Sequence, residues 1–447
     1  MAKSLTANIS GANLALGIAT LAFAANFSVW ILYAVVGLNL QTELALNATE
    51  LGFLFAAPML TGALGRIPAG LLAERYSPRS LYIGQMLLVA PSLFLLPYVN
   101  SYSDYVILGL WMGISGTSFT FGISYVTQWF ERHQQGTAMG IFGAGNAGAA
   151  ISLVIAPLVA NYLGWNNLGF VYGAGLLLMA GLFAVFAPKL THAATVSHDF
   201  INSDVIRAPT ANKSTAFKSD EVGSLSAIVR NLQVWRFGLY YYFVFGSFLA
   251  LILWLPQYYV NAYKLSFSQA MAFTLFFVAT SSMVRALGGW FADKYGGRSV
   301  NWNVFWISIV CLFFLSYPPT TMTIHGVDSD VHLNIEVNVW VFSSLIFVIG
   351  IAQGFGRASV YKIIHDYYPQ HMGAIGGFVA ALGALGGCTL PIFFGLAEDL
   401  MGIYSSCFMI LYGVLAMCMV VMFLAQKSDR HRQRVMHAEN YNFLDFD

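Results

Sequence analysis

The sequence predicts an all-α membrane protein with twelve transmembrane helices in two pseudo-symmetric six-helix bundles. Three observations support this fold class: an apolar composition, twelve apolar segments of spanning length, and a charged motif that occurs once in each half. Of the 447 residues, 58% are hydrophobic and only 9% are charged, whereas a soluble domain carries about 25% charged residues. A chain this poor in charge cannot cover a soluble globule, so we expect it to cross the bilayer many times.

Each of the twelve apolar segments is long enough to cross a bilayer as a helix, which needs about 20 residues. Helices are expected because a backbone in lipid must satisfy its own hydrogen bonds. The segments cover residues 11–38, 50–73, 80–99, 105–129, 136–160 and 168–188 in the N-terminal half, and 235–259, 267–292, 301–318, 337–362, 373–397 and 403–425 in the C-terminal half. The first segment is longer than the apolar core of a signal peptide, so we interpret it as a span.

The polar sequence between the two sets of segments divides the chain. We predict an N-terminal six-helix bundle at 1–188, a flexible linker at 189–232, a C-terminal six-helix bundle at 233–426 and a tail at 427–447. Lysine and arginine concentrate in the linker, the tail and the turns on one side of the predicted membrane. By the positive-inside rule, both termini and the linker should be cytoplasmic. We expect a monomeric, multi-pass protein of the inner (plasma) membrane, with the lipid bilayer as its partner.

Composition and motifs argue against several other functions. The net charge is +1 without a clustered basic face, so no nucleic-acid partner is expected. No nucleophile is paired with a base, and neither an HExxH motif nor a phosphate-binding loop occurs, so we predict neither an enzyme nor a cofactor. His365 and His371, which flank a turn near Asp366, are interpreted as solvated. No metal site is predicted, because the cysteines lie in apolar segments and are interpreted as buried free thiols: Cys311, Cys388, Cys407 and Cys418.

A charged motif occurs once in each half, as GRIPAGLLAERYSPRS at residues 65–80 and VRALGGWFADKYGGRS at 284–299. Arg66 aligns with Arg285, and other identical pairs follow: Gly70/Gly289, Ala73/Ala292, Tyr76/Tyr295, Arg79/Arg298 and Ser80/Ser299. Parallel repetition of two six-helix halves is how one group of secondary transporters is built, with the substrate site near the bilayer midplane between the halves. The pattern resembles the major facilitator superfamily and its cytoplasmic loop motif.

Permanent positive charges lie inside the apolar segments. These are Arg66, Arg285, Arg357 and, near an end, Lys362; apart from Glu50 and Arg236 in the first two positions of their segments, the segments contain no other Asp, Glu, Lys or Arg. An arginine at the centre of a span costs about 2.5–3.5 kcal/mol on insertion scales, so it should face a cavity or a partner. Snorkelling to the headgroups is the alternative for either of the paired arginines alone. We expect the missing negative charge to be the substrate, a small anion clamped by one guanidinium from each half.

Two glycine-rich stretches occupy equivalent places in the halves, at residues 136–150 and 373–387. Small residues at this spacing let helix backbones approach closely, so most of these glycines are interpreted as packing residues. Asn146 lies within the first stretch. A buried amide needs a hydrogen-bond partner, and either a bound oxyanion or a helix carbonyl would provide one.

These stretches resemble the two signature motifs of the nitrate/nitrite porter family, through GIFGAGNAG at 140–148 and AALGALGG at 380–387. The segments before them, 116–136 and 356–377, are similar to that family as well. Without the resemblance, packing is the better interpretation of any single aromatic among 36 Phe and 23 Tyr. The resemblance implies nitrate or nitrite as substrate and the following binding residues: Arg66 and Arg285 as the clamp, Phe119 stacking on the planar anion, Asn146 as the signature asparagine, and Tyr241, Phe245 and Tyr361 in the pocket.

The stretch GRASVYK at 356–362 resembles the proton-symporting branch of this family, with one departure. Arg357 stands where a lysine is usual, and arginine does not release its proton in proteins. Lys362 is therefore the proton-coupling candidate, although Tyr361 and Lys362 would equally suit an interfacial aromatic and a cytoplasmic anchor. The expected function is import of nitrate or nitrite by alternating access with proton symport. The alternatives are nitrate/nitrite antiport and exchange of organic anions or organophosphates by the same fold.

Overall fold

A computed structural model describes residues 2–130, 132–189, 225–325, 330–368 and 372–444. Over these ranges the chain is helical apart from one β-hairpin. Twelve spans are long and apolar enough to cross a membrane, and their bounds agree with the predicted segments to within a few residues. Most of the predicted linker, and His371, lie outside the described residues, so the division into bundles, linker and tail stays a prediction.

The helices are numbered here in chain order. The first ten are α1 Ala2–Trp30, α2 Tyr33–Glu43, α3 Ala48–Leu64, α4 Arg66–Arg75, α5 Pro78–Leu95, α6 Tyr102–Met112, α7 Ser118–Thr127, α8 Arg132–Gly143, α9 Gly148–Leu163 and α10 Leu168–Phe186. The others are α11 Leu225–Arg230, α12 Leu232–Tyr241, α13 Ser247–Tyr263, α14 Phe267–Tyr295, α15 Gly297–Leu315, α16 Val339–Tyr367, α17 Met372–Met401 and α18 Ser406–Leu444. The second span thus consists of α3 and α4, whereas the eighth is the single helix α14.

Five spans change helix geometry near their middle. The first breaks between α1 and α2, and the second breaks at Gly65, directly before Arg66. The fourth and fifth spans contain 3-10 turns at Gly113–Thr117 and Ala144–Ala147, and the seventh contains a π-helical turn at Tyr242–Gly246. Irregular backbone is tolerated at membrane depth only where protein or a cavity surrounds it, and such turns often mark functional sites. The irregular turns therefore indicate a site about halfway along these spans.

The two halves meet closely where α3 of the second span begins and α17 of the eleventh ends. A Cβ on Gly52 would lie 2.4 Å from the Pro391 carbonyl oxygen, and one on Gly395 would lie 2.1 Å from the Ala48 carbonyl oxygen. Any side chain larger than hydrogen at these positions would push the helices apart. Glycine therefore allows direct backbone contact between the halves.

Asp399, near the end of α17, caps the first turn of α3 across this contact. Its carboxylate oxygens accept from the backbone N–H groups of Ala48 at 3.1 Å and Thr49 at 2.8 Å, and Thr49 Oγ1 donates a third bond. A helix N-terminus favours a negative charge because its first N–H groups have no intrahelical partner. This Asp399 cap lies about 27 Å along the second span from Arg66, at a rise of about 1.5 Å per residue.

The predicted fold class of twelve transmembrane helices is confirmed, and one antiparallel hairpin lies between the ninth and tenth spans. Strand β1 (Thr320–His325) pairs with β2 (Asp330–Ile335), and the described side chains of both strands are largely exposed. The Thr, Ile and Val residues of these strands are typical of β-structure. Strands of six residues are too short to span a bilayer, so the hairpin belongs to the loop between the two spans.

Candidate functional site

A small cavity of about 210 Å³ lies between the two halves at the level of the irregular turns. Each half contributes one arginine to it. The lining residues are Phe23, Arg66, Phe119 and Asn146 from the N-terminal half and Tyr241, Phe245 and Arg285 from the C-terminal half.

Arg66 begins α4 and is only 6% exposed. Its Nη1 donates to the Ala380 carbonyl oxygen of α17 at 3.0 Å, and its Nε lies 3.4 Å from the Gly116 carbonyl oxygen. A guanidinium has five N–H groups in a planar fork, so donors remain for a ligand. The Ala380 bond connects this arginine to the other half of the molecule.

Three aromatic rings surround the Arg66 guanidinium. Its Cζ lies 5.2 Å from the centroid of Trp30, 5.3 Å from that of Phe119 and 5.8 Å from that of Phe245. Cation–π attraction at these distances holds the guanidinium without neutralising it. The Trp30 indole is itself fixed, because its Nε1 donates to the Pro58 carbonyl oxygen at 2.8 Å.

Arg285, on α14, lies flat against the backbone of the fifth span. A Cβ on Gly143 would come within 2.9 Å of the Arg285 Cζ and 3.0 Å of its Nη1. Nη1 also donates to the Asn146 side-chain oxygen at 3.1 Å, in the amide orientation that satisfies both groups. Gly143 thus makes room for the second arginine, a role that the packing interpretation of the glycine-rich stretch missed.

Arg357, on α16, lies behind the cavity and does not line it. It is completely buried, and its Nη2 donates to the Ser281 carbonyl oxygen at 2.6 Å and to Ser281 Oγ at 2.7 Å. Its Cζ stands 4.0 Å from the ring centroid of Phe248. Its Nη1 donates to the Asn146 oxygen at 3.2 Å. Asn146 therefore accepts from two guanidinium groups.

The predicted aromatic residues form the walls of the cavity. The ring centroids of Phe119 and Phe23 are 5.4 Å apart. Phe23 was not predicted as a site residue, because no sequence signal distinguishes it from the other aromatic residues of the first span. Tyr241 stacks on Phe245 with centroids 5.2 Å apart, and Tyr361 meets the Tyr241 ring edge-on at 5.2 Å. The Tyr361 hydroxyl donates to a backbone carbonyl oxygen rather than entering the cavity lining.

Lys362 lies apart from these residues. Its Nζ is 3.3 Å from Asp293 Oδ1 and 3.2 Å from Asp366 Oδ1, and its side chain is 30% exposed. The eighth span extends to Tyr295, so it includes Asp293, which the predicted end at residue 292 left out. The structure thus brings together all the predicted site residues except Tyr361, which packs behind Tyr241, and Lys362, which forms this separate ion-pair cluster.

None of the described residues that line the site carries a negative charge. Within the described part of the chain, no carboxylate forms an ion pair with Arg66, Arg285 or Arg357, and their partners are carbonyl, hydroxyl and amide oxygens. Buried charges are normally paired. The described residues also contain no cluster of His, Cys, Asp and Glu that could hold a metal ion, and the four cysteines are buried and form no disulfide among these residues. An anion is the ligand that this arrangement suits.

Comparison with known proteins agrees with this geometry. The family model described as Major Facilitator Superfamily matches residues 18–391. The chain is 32% identical over 434 residues to the Thermus thermophilus protein named "Probable nitrate/nitrite antiporter NarK1", and the match covers 93% of each chain. The chain belongs to the nitrate/nitrite porter family of the major facilitator superfamily. The predicted family and the assignment to transporters rather than enzymes are therefore confirmed.

Two further similarities complete the comparison. The chain is 26% identical to the "Nitrite extrusion protein" of Bacillus subtilis, over 95% of this chain and 98% of that protein. The crystal structure of a bacterial homologue of the human lysosomal transporter Spinster, in an inward-facing and occupied conformation, matches with a TM-score of 0.69 at 15% identity, over 92% of this chain and 96% of that one. This structural likeness confirms the fold.

Proposed function

We propose that this porter carries nitrate and nitrite by alternating access, with the anion held between Arg66 and Arg285. The observation that supports this most directly is a cavity between the halves whose described lining residues include one arginine from each half and no carboxylate. An anion bound there would neutralise charge from both halves at once. Closing the halves around it would therefore be more favourable than closing them around an empty site.

The residues that line the cavity favour a small planar anion. Phe119 and Phe245 offer ring faces, and the guanidinium groups are planar forks that match a planar oxyanion. A sugar phosphate would need several hydroxyl-binding groups, whereas Asn146 and Tyr241 are the lining residues that carry neutral polar groups. Exchange of organophosphates is therefore less compatible with this cavity than transport of nitrate.

We further propose that both termini face the cytoplasm in the inner membrane. The Asp399 cap and the contacts of Gly52 and Gly395 would then close the outer side of the transporter. With the outer side closed, substrate would exchange with the cytoplasm, and breaking these contacts would accompany opening to the outside.

Two coupling modes remain as proposals. Anion exchange is supported by the lining, because Lys362 lies in a cluster with Asp293 and Asp366 rather than in the cavity. An empty carrier with two unpaired guanidinium groups would also reorient slowly. Proton symport is supported by the resemblance of residues 356–362 and by the ionisable groups that this cluster brings together.

Transport by purified protein in liposomes tests the function and the coupling together. We expect uptake of labelled nitrate to be inhibited by nitrite and unaffected by glycerol phosphate or succinate; stronger inhibition by either organic anion would overturn the proposal. Uptake that requires internal nitrite and ignores an imposed pH gradient would establish exchange. Uptake into anion-free liposomes that is driven by a proton gradient and lost in Lys362→Met would establish symport.

A further inference from the structure

We propose that Arg357 is a positioning residue: it orients Arg285 toward the substrate cavity by acting through the Asn146 side chain. This inference rests on the proposed function, because the consequence of misplacing Arg285 is measured as weaker nitrate binding. Arg357 itself does not line the cavity, so it is not expected to contact the anion.

The anchoring of Arg357 leaves one side of its guanidinium for Asn146. Nη2 makes both bonds to Ser281, and Nε donates to the Gln353 carbonyl oxygen at 3.3 Å. The ring of Phe248 covers one face at 4.0 Å. With these contacts made, Nη1 is directed at the Asn146 oxygen at 3.2 Å. A buried side chain fixed at this many points has little freedom to move.

Asn146 transmits this position to Arg285. Its amide oxygen accepts simultaneously from Arg357 Nη1 and from Arg285 Nη1 at 3.1 Å. The asparagine belongs to the 3-10 turn of the N-terminal half, whereas both arginines belong to the C-terminal half. The position of Arg285 therefore also depends on the relative position of the two halves, because Asn146 belongs to the other half.

The proposed role requires a neutral group at position 146, which links the two arginines, and a planar cation at position 357. An amide oxygen holds Arg285 without cancelling its charge, so the attraction for an anion persists; a carboxylate at the same place would act as a built-in competitor. Lysine at position 357 would present one compact ammonium group in place of a fork with separate nitrogens. The lysine ammonium could reach either Ser281 or Asn146, so the hydrogen-bonded link from position 357 through Asn146 to Arg285 would be weakened.

A double-mutant cycle on nitrate binding tests the inference. We expect Arg357→Lys to raise the nitrate Kd about tenfold in the otherwise unchanged protein. In the Asn146→Ala background the same substitution should raise the Kd less than about twofold, because the effects of mutations at coupled residues do not add. Asn146→Asp should abolish measurable binding. Ser281→Ala removes the hydrogen bond from Arg357 to Ser281 Oγ and retains the bond to the Ser281 carbonyl oxygen. It should raise the nitrate Kd by less than Arg357→Lys does, and this increase should also disappear in the Asn146→Ala background.

Control measurements distinguish a failure of the positioning role from a failure of the proposed function. Arg79→Lys, at an arginine that donates from Nε to the Ala187 carbonyl oxygen at 2.9 Å outside the cavity lining, should lower thermal stability without changing the nitrate Kd. Equal effects of Arg357→Lys in both backgrounds would overturn the positioning role, as would complete loss of binding in Asn146→Ala. If the unmodified protein binds no nitrate, the proposed function itself fails.

Discussion

At the scale of single residues, the arginines are held by groups that cannot neutralise them. Arg66 bonds to backbone carbonyl oxygens and stands beside three aromatic rings, and Arg285 bonds to the Asn146 amide. Such contacts fix geometry while leaving the positive charge available. The two guanidinium groups are therefore arranged in advance of the ligand, which reduces the ordering cost of binding.

Replacing either clamp arginine by lysine should weaken nitrate binding at least about tenfold, since a charge-assisted bond to a planar fork contributes about 1.5–3 kcal/mol. Nitrate titration by calorimetry on purified Arg66→Lys and Arg285→Lys, together with liposome uptake, measures the effect. Arg75→Lys is the matched control, because Arg75 is an exposed residue at the end of the same helix as Arg66. Unchanged affinity in either clamp variant would show that this arginine does not hold the anion.

Gly143→Ala should also weaken nitrate binding, because the new methyl group would lie within 3 Å of the Arg285 guanidinium. We expect the nitrate Kd to increase about three- to tenfold, which corresponds to a cost of about 0.7–1.4 kcal/mol. Gly140→Ala provides the comparison: Gly140 lies on the same helix, and nothing stands within 4 Å of its Cβ position. If both variants bind nitrate like the parent protein, Gly143 has no role in placing Arg285.

At the scale of secondary-structure elements, the contact of α3 with α17 joins the halves at one end of the molecule. Helix α3 starts with an internal cap from Asn47 and Glu50, and Asp399 adds a second cap from the other half. Exposed charges at a helix N-terminus contribute about 0.3–1 kcal/mol. The cap is thus strong enough to bias a conformational equilibrium and weak enough to break in each transport cycle.

Asp399→Asn should increase the fraction of molecules that are open at this end by about two- to fivefold, because the amide loses the charge that the helix N-terminus favours. A cysteine introduced at Ala56 reports this opening, since Ala56 is buried one helical turn from Gly52. We expect faster labelling by a membrane-impermeant thiol reagent. Asp104→Asn, at a capped helix start within one half, should leave the rate unchanged; equal rates in both variants would exclude a closing role for Asp399.

The sequence also shows which elements could be predicted. Long apolar runs fix the number and approximate bounds of the spans, because lipid permits few alternatives to a helix. The repeated motif pairs Arg66 with Arg285, and the resemblance to the porter family adds Phe119 and Asn146. The π-helical turn and the role of Gly143 depend on contacts between distant segments, such as Gly143 with Arg285, and those contacts have no local sequence signal.

At the scale of the whole molecule, charge is distributed in two separate groups. The buried Arg66 and Arg357 and the half-buried Arg285 form a positive centre without acidic partners among the described residues. Lys362 instead pairs with Asp293 and Asp366. The sequence places all four cations in apolar segments, but it cannot separate the two groups. That separation depends on how α14 and α16 pack, because Asp293 and Lys362 belong to different spans.

The backbone at the irregular turns should open locally more readily than the backbone of the regular helices. The hydrogen bonds of these turns are less regular than those of α14, α15 and α16, which run unbroken through the same depth. In hydrogen–deuterium exchange, we expect faster amide exchange midway along the first, second, fourth, fifth and seventh spans than midway along those three helices. Nitrate should slow exchange at the irregular turns by ordering the residues around the anion, and uniform protection along all twelve spans would contradict this. Reorientation would then occur by bending the N-terminal half and the seventh span against an unbroken support formed by the eighth to tenth spans.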